Sequence, residues 1–453
     1  MASWAPWYAF FTGFYKVNMT LHHRTRAFVQ WVALGIVVGV FSGCASAVFL
    51  YLLGKVTQFR DAHNVIVYAL PLAGLAMGVI YARWGLKILG GNNLIIDTVH
   101  EDSPEIPFRM APMVLIGTLW THLFGGSAGR EGTAVQMGAS LADYIAHRLR
   151  VGLQTRRELL AAGIAGGFGS VFGTPIAGAI FGLEVVVVGR MSYEALIPAL
   201  IAAITGDLVT RGLGISHMLY PIPQQLPLSL MVIAKWIAFG LAVALVAIAF
   251  VELTHLLKKW LSRWIPSLSL RMAFGALLLV LLWKAAGTDD YLGLGTPTLL
   301  RSFMDPQLPA EAFLLKLVFT ALTLSVGFIG GEVTPLFFIG AALGNLLGRL
   351  LGLPLDLSAG IGLAAIFAAV ANTPLALSIM AVELLGPHVL PHVVIVSVVA
   401  YLFTGHRGIY PSQRIARLKH GGPLLQRLVP LRELIAHREP ADPKEAPRHP
   451  GQG

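Results

Sequence analysis

Gly173-Thr-Pro-Ile-Ala-Gly-Ala-Ile-Phe-Gly-Leu-Glu184 and Asn372-Thr-Pro-Leu-Ala-Leu-Ser-Ile-Met-Ala-Val-Glu383 are two copies of one pattern. Each opens on Thr-Pro, runs through small and apolar residues, and closes on a glutamate nine positions after the proline (184 − 175 and 383 − 374). Upstream of each copy stands a Gly-x-Glu-x-Thr, as Gly129-Arg-Glu-Gly-Thr133 and Gly330-Gly-Glu-Val-Thr334. The two landmarks repeat at offsets of 199 (383 − 184) and 201 (334 − 133). Matched landmarks at nearly one offset divide the chain into two homologous halves, a first repeat over 30–215 and a second over 216–405. The pattern leaves open whether the halves are inverted.

Composition says what surrounds these repeats. Of 453 residues, 56% are hydrophobic and 12% charged, and the mean hydropathy is +0.71. Soluble domains carry roughly 25% charge, so most of this surface faces lipid. A spanning helix needs about 20 apolar residues. Long apolar runs lie near 27–54, 64–82, 110–125, 174–189, 193–210, 228–251, 269–286, 311–329, 335–353 and 388–404, with shorter or Gly-interrupted ones at 131–146, 158–173, 359–371 and 374–386. The expected fold is an all-α polytopic membrane protein.

The net charge of +10 is read as the positive-inside rule and not as nucleic-acid binding. Basic residues cluster at 22–26, 147–157, 258–263 and 407–438, which assigns those segments to the cytoplasm. Residues 1–29, with Trp4, Trp7, Tyr8 and Tyr15, read as an interfacial segment without a signal peptide. Residues 406–436 form a basic segment, and the polar, Pro-rich 437–453 reads as a disordered tail. The single cysteine, Cys44, excludes an intrachain disulfide, and the 14 histidines show no metal spacing. No metal and no cofactor are expected.

The glycine-rich landmarks carry the chemistry. Each precedes an apolar segment that looks too short to span comfortably, and glycine permits the irregular backbone of a helix that begins inside the membrane. Such a start presents unpaired N–H groups and the positive end of the helix dipole, a site for an anion without a full positive charge. In repeat-built transporters the substrate sits at the repeat interface.

These residues resemble the CLC family of anion channels and antiporters. Gly91-Asn-Asn-Leu-Ile95, Gly129-Arg-Glu-Gly-Thr133 and Gly331-Glu-Val-Thr-Pro335 match its GSGIP, GREGP and GxFxP motifs, and Tyr410 matches its late tyrosine. The resemblance covers about residues 30–415; no C-terminal regulatory domain is expected. It implies the family's two-fold repeat with broken, membrane-embedded helices, and a homodimer with one pathway per subunit. The departures, Asn92 for serine, Thr133 for proline, and Val333 with Thr334 in the third motif, resemble the fluoride/proton antiporter branch. Chloride antiporters carry a second glutamate after the first of an E-E pair, whereas this chain reads Glu184-Val185. The resemblance then implies fluoride export from the cytoplasm against entering protons, hence fluoride resistance, in a bacterial inner membrane.

The residues make chemical sense of that implication. Fluoride holds its water tightly, so its site must replace that water with strong donors at short distance. The expected anion-binding set is Gly91, Asn92, Asn93, Leu94, Gly129, Arg130, Gly132, Thr133, Val333, Thr334 and Tyr410. Amide and hydroxyl donors come from Asn92, Asn93 and Thr334. Glu131 is the expected gating and proton-coupling carboxylate, since a membrane-depth carboxylate is functional by default. Its plain alternative is a static ion pair with Arg130. Glu332 is a candidate proton carrier, a buried group held neutral, or a partner of a nearby donor. Glu184 and Glu383, placed symmetrically, read as scaffolding that bonds to helix ends, and Asp97 as a helix cap. The rival readings are a chloride/proton antiporter or a chloride channel. An intramembrane enzyme finds no nucleophile with a base and no HExxH.

Overall fold

Lipid offers no hydrogen-bond partners, so a spanning chain satisfies its backbone within helices and packs them through small residues. The computed structural model describes residues 5–100, 105–419 and 427–436, with the side chains of 5–24 and 435–436 left out. The expected tail at 437–453, Trp4, and the aromatic side chains of Trp7, Tyr8 and Tyr15 therefore lie outside the described residues. Among the described residues, seven helices are long and apolar enough to cross a membrane: Thr25–Ala62, Asn64–His100, Tyr193–Gly212, Leu230–Trp264, Leu268–Ala286, Val333–Leu351 and Pro387–Thr404. The first continues a helix that begins at Ala5.

The apolar runs mislead about length in three places. Those at 110–125, 174–189 and 311–329 contain only Met110–Leu123, Pro175–Glu184 and Ala312–Ser325, helices of 14, 10 and 14 residues. At ~1.5 Å per residue these fall short of a ~30 Å hydrocarbon core. In the run at 174–189 the apolar residues beyond the helix, Val185 to Val188, are buried in protein. Conversely, the run at 131–146 belongs to an 18-residue helix, Glu131–Arg148. Three two-residue strands sit among the helices of this all-α fold: Val187–Val188 pairs parallel with Arg414–Ile415, which pairs antiparallel with Val429–Pro430.

The repeated Thr-Pro is punctuation between helices. Gly173 and Asn372 adopt the left-handed conformation (φ 74° and 58°) and stop the helices Leu153–Phe172 and Leu355–Ala371. Two residues later Pro175 and Pro374 open the next helices, Pro175–Glu184 and Pro374–Leu385, at a position whose N–H would be free anyway. The glutamates that close these helices cap each other's beginnings. Glu184 accepts from the N–H of Leu375 (3.2 Å) and Ala376 (2.8 Å), and Glu383 from Ile176 (3.0 Å) and Ala177 (2.7 Å). Each carboxylate therefore meets the positive end of the other half's helix. This exchange requires the two helices to run antiparallel, so the halves are opposed in direction.

Close packing follows the same symmetry. A Cβ on Gly138 would collide with the carbonyl of Gly163, and one on Gly340 with the carbonyl of Gly362. Phe168 and Phe367 stand 199 positions apart (367 − 168) and both touch Phe181, at centroid distances of 4.4 and 5.9 Å. Phe337 continues this seam to Phe172 (5.3 Å) and Phe367 (6.0 Å).

Replacing Glu184 with alanine orphans two N–H groups, each costing about 1–3 kcal/mol when left unpaired. Glu184→Ala is expected to lower the unfolding temperature of the detergent-solubilised protein, with Glu184→Gln restoring part of the loss. An unchanged transition in Glu184→Ala would refute the structural role of the reciprocal cap.

Candidate anion site

The site begins where the two glycine-rich landmarks cross. The N–H of Gly129 donates to the carbonyl of Gly331 (2.6 Å) and the N–H of Gly331 to that of Gly129 (2.9 Å), an isolated antiparallel bridge between the halves. The backbones approach so closely that a Cβ on Gly129 would stand 2.9 Å from Pro335 Cδ, and one on Gly132 3.0 Å from Gly331 Cα. Immediately beyond the bridge the helices Glu131–Arg148 and Val333–Leu351 begin. Two positive helix ends, each with free N–H groups, thus start from one buried point.

Glu131 fills that point. Its side chain is 1% exposed, and its carboxylate accepts from the N–H of Thr334 (3.1 Å), the Thr334 hydroxyl (2.6 Å), the N–H of Arg130 (3.2 Å) and Arg130 Nε (3.2 Å). Three kinds of donor surround one anionic group, the arrangement that would surround a small anion in its place. Arg130 keeps 17% of its side chain exposed.

Around this centre the expected residues divide. Asn92 opens the helix Asn92–His100 and, with Tyr410, lines a small cavity whose other walls are apolar: Ile95, Ile96, Val135, Ile164, Phe181 and Val185. Asn92 Nδ2 and Glu332 Oε2 converge on Gly132, at 3.4 and 3.8 Å from where its Cβ would stand. Asn92 Oδ1 and Glu332 Oε2 are buried without a hydrogen-bond partner among the described residues. Buried orphan acceptors are rare and call for an explanation. Val333, Thr334 and Tyr410 are also buried.

Other expected residues turn elsewhere. The Thr133 hydroxyl pairs with that of Thr118 (2.6 Å). Asn93 Oδ1 accepts from the N–H of Ser412 (3.1 Å). Leu94 packs against the main core, and Gly91 (φ 54°) faces the amide of Gln136. Asp97 is no helix cap: it sits inside its helix, accepts from the Ser412 hydroxyl (2.8 Å), and pairs with Arg414 (3.4 Å) and Arg432 (3.0 Å). Gln413 escaped sequence reasoning altogether. Its Nε2 donates to the carbonyls of Val185 and Ala371, both at 2.8 Å, so it holds the Tyr410 segment to both halves at once. Only its place three residues after Tyr410 could have drawn notice. Among the described residues, no group of three or more His, Cys, Asp or Glu could hold a metal.

Comparison with known proteins follows from this geometry. The profile of a family described as voltage gated chloride channel matches residues 73–405. A chloride/fluoride channel protein of Pseudomonas syringae pv. tomato is 46% identical over 424 residues, covering 92% of this chain and 94% of that one. The crystal structure of a CLC-type fluoride/proton antiporter superposes with a TM-score of 0.83 at 38% identity, over 85% of this chain and 98% of that one. A slow cyanobacterial Cl−/H+ antiporter shares the fold, with a TM-score of 0.70 at 18% identity over 83% of this chain and 94% of that one.

Removing the Thr334 hydroxyl tests whether these donors hold an anion. A hydrogen bond to a charged group contributes about 1.5–3 kcal/mol, so Thr334→Val is expected to weaken fluoride binding about 10- to 100-fold in titration calorimetry. Thr334→Ser should bind nearly as the parent does. Equal affinity in all three would remove the hydroxyl from the site.

Proposed function

The chain belongs to the CLC family of anion channels and transporters, and on that premise we propose that it is a fluoride/proton antiporter that exports fluoride from the cytoplasm as protons enter. It is a multi-pass membrane protein. In this reading the basic loops face the cytoplasm, the protein is a homodimer, and it resides in a bacterial inner membrane.

The observation that carries the proposal is the set of donors on Glu131. An ionised carboxylate accepts from the Thr334 N–H and hydroxyl and from Arg130. Protonation removes the charge those donors favour, and the side chain, set between Gly129 and Gly132, leaves. The vacated donors then take fluoride, whose small radius suits the short hydroxyl contact. Carboxylate and fluoride exclude each other, and that exclusion couples the two fluxes.

Glu332 and Asn92 supply the inner part of the reading. Glu332 is proposed to receive or pass the proton, and its unpartnered Oε2 stands close to the Glu131 helix at Gly132. The Asn92 amide presents N–H donors on the same face. Support for fluoride also comes from relatives: the 38%-identical structure is a fluoride/proton antiporter and the Pseudomonas relative is a chloride/fluoride channel protein.

Reconstituted liposomes decide the matter. Fluoride efflux should drive proton uptake, and Glu131→Gln should abolish both. Chloride flux equal to or faster than fluoride flux would return the chain to the chloride transporters of its family.

A further inference from the structure

A basin of ≈ 350 Å³ lies over the exposed side of Arg130, and nothing in the transport reading uses it. One wall is a stripe of the first spanning helix, where Gly54, Lys55 and Gln58 face inward; the opposite wall is the loop with Ser216 and His217. Its charged lining residues are Lys55 and Arg130, and no carboxylate lines it. With the basic loops in the cytoplasm, the basin opens outward, because Lys55 lies near the end of the first spanning helix remote from the 22–26 cluster.

Two of its groups keep nitrogens without a hydrogen bond among the described residues. Arg130 reaches Glu131 through Nε, and its two terminal nitrogens have no other partner among the described residues. The His217 side chain is 9% exposed, and its Nδ1 is buried without a hydrogen bond. His217 Nε2 stands 3.1 Å from Asp207 Oδ1 without hydrogen-bond alignment, and Asp207 is also held by Arg211 (2.9 Å). Behind His217, therefore, the negative charge is already neutralised. The Lys55 ammonium stays near the basin wall, 5.6 Å from the Tyr51 ring centroid.

We propose that this basin is a second anion-binding site, in which a small hydrated anion is held by Lys55, the free nitrogens of Arg130 and His217 before or after it occupies the Glu131 site. The identity of the anion as fluoride, and the outward opening, rest on the antiporter reading. The binding chemistry does not: two cations, the imidazole of His217 with its unpartnered Nδ1, and the neutral donors Gln58 and Ser216 line one open space that no carboxylate lines. Since one guanidinium serves both the basin and Glu131, an anion in the basin stands at the entrance to the gate and concentrates the substrate there.

Gly54 supplies a probe, because a side chain added there meets nothing within 4 Å. In a Cys44→Ser, Gly54→Cys protein, the rates of modification by an anionic and a cationic methanethiosulfonate reagent of matched size report the local potential without any transport. The anionic reagent should be favoured over its bulk-solution ratio, Lys55→Gln should cut that preference about two- to fivefold, and millimolar fluoride should slow the reaction. Modification ratios equal to those of a free thiol, unchanged by Lys55→Gln and by fluoride, would overturn the proposal. Flux separates the two readings. Should unmodified protein carry chloride and not fluoride, the antiporter reading fails while the basin is still judged by its modification rates, with chloride as the protecting anion.

Discussion

The two hydrogen bonds between Gly129 and Gly331 hold two helix N-termini at one buried point, and the rest of the site is placed by that crossing. A full positive charge in the same position would bind an anion too tightly to release it, and would itself be costly to keep out of water. Backbone N–H groups and helix dipoles supply partial charges that are fixed in direction and need no counter-ion. The crossing demands glycine on both strands, because a Cβ on Gly129 or on Gly331 would stand within about 3 Å of the opposite half. It also brings Thr334 from the second half onto Glu131 of the first, so the donors around that carboxylate belong to neither half alone.

Such a junction would splay without support, since lipid provides no hydrophobic drive to press the helices together. The reciprocal caps of Glu184 and Glu383 supply it with charge against dipole, and the glycine pairs 138/163 and 340/362 supply it with close backbone contact. Gln413 adds a third tie by donating to carbonyls of both halves. Each device is local, and each joins elements far apart in sequence, which is how opposed repeats become one rigid body around a small central site.

The symmetry was legible because repeated residues mark it: Thr-Pro and the trailing glutamates keep an offset of 199, and the Gly-x-Glu-x-Thr landmarks one of 201. Helix lengths were less legible, because an apolar run records burial in protein as readily as burial in lipid, as Val185 to Val188 show. Helical phase was not legible at all near a helix start. Asn92 and Asn93 are neighbours in sequence but about 100° apart on the helix; the first faces the cavity with Tyr410, and the second reaches Ser412. Thr133 and Thr334 match in the repeated Gly-x-Glu-x-Thr pattern, yet one hydroxyl pairs with Thr118 and the other with Glu131. The bridge pairs Gly129 with Gly331, so Thr133 is the third residue of its helix and Thr334 the second, about 100° apart in phase.

The cavity below the site bears on how a proton could pass. Its water-accessible volume is only ≈ 10 Å³, and Asn92 and Tyr410 are its sole polar walls among the described residues. A buried water needs about 10–15 Å³ and two to four polar partners, so this space holds at most a single molecule and no chain of them. Where an inner glutamate would stand there is Val185, which cannot carry a proton. No chain of standing water fits within this cavity in this conformation. Proton coupling, where the antiporter reading requires it, falls to carboxylates already at the crossing. Glu131 has glycine on either side of its helix start, and Glu332 has an oxygen with no partner, so these two have the freedom and the vacancy to exchange a proton by moving.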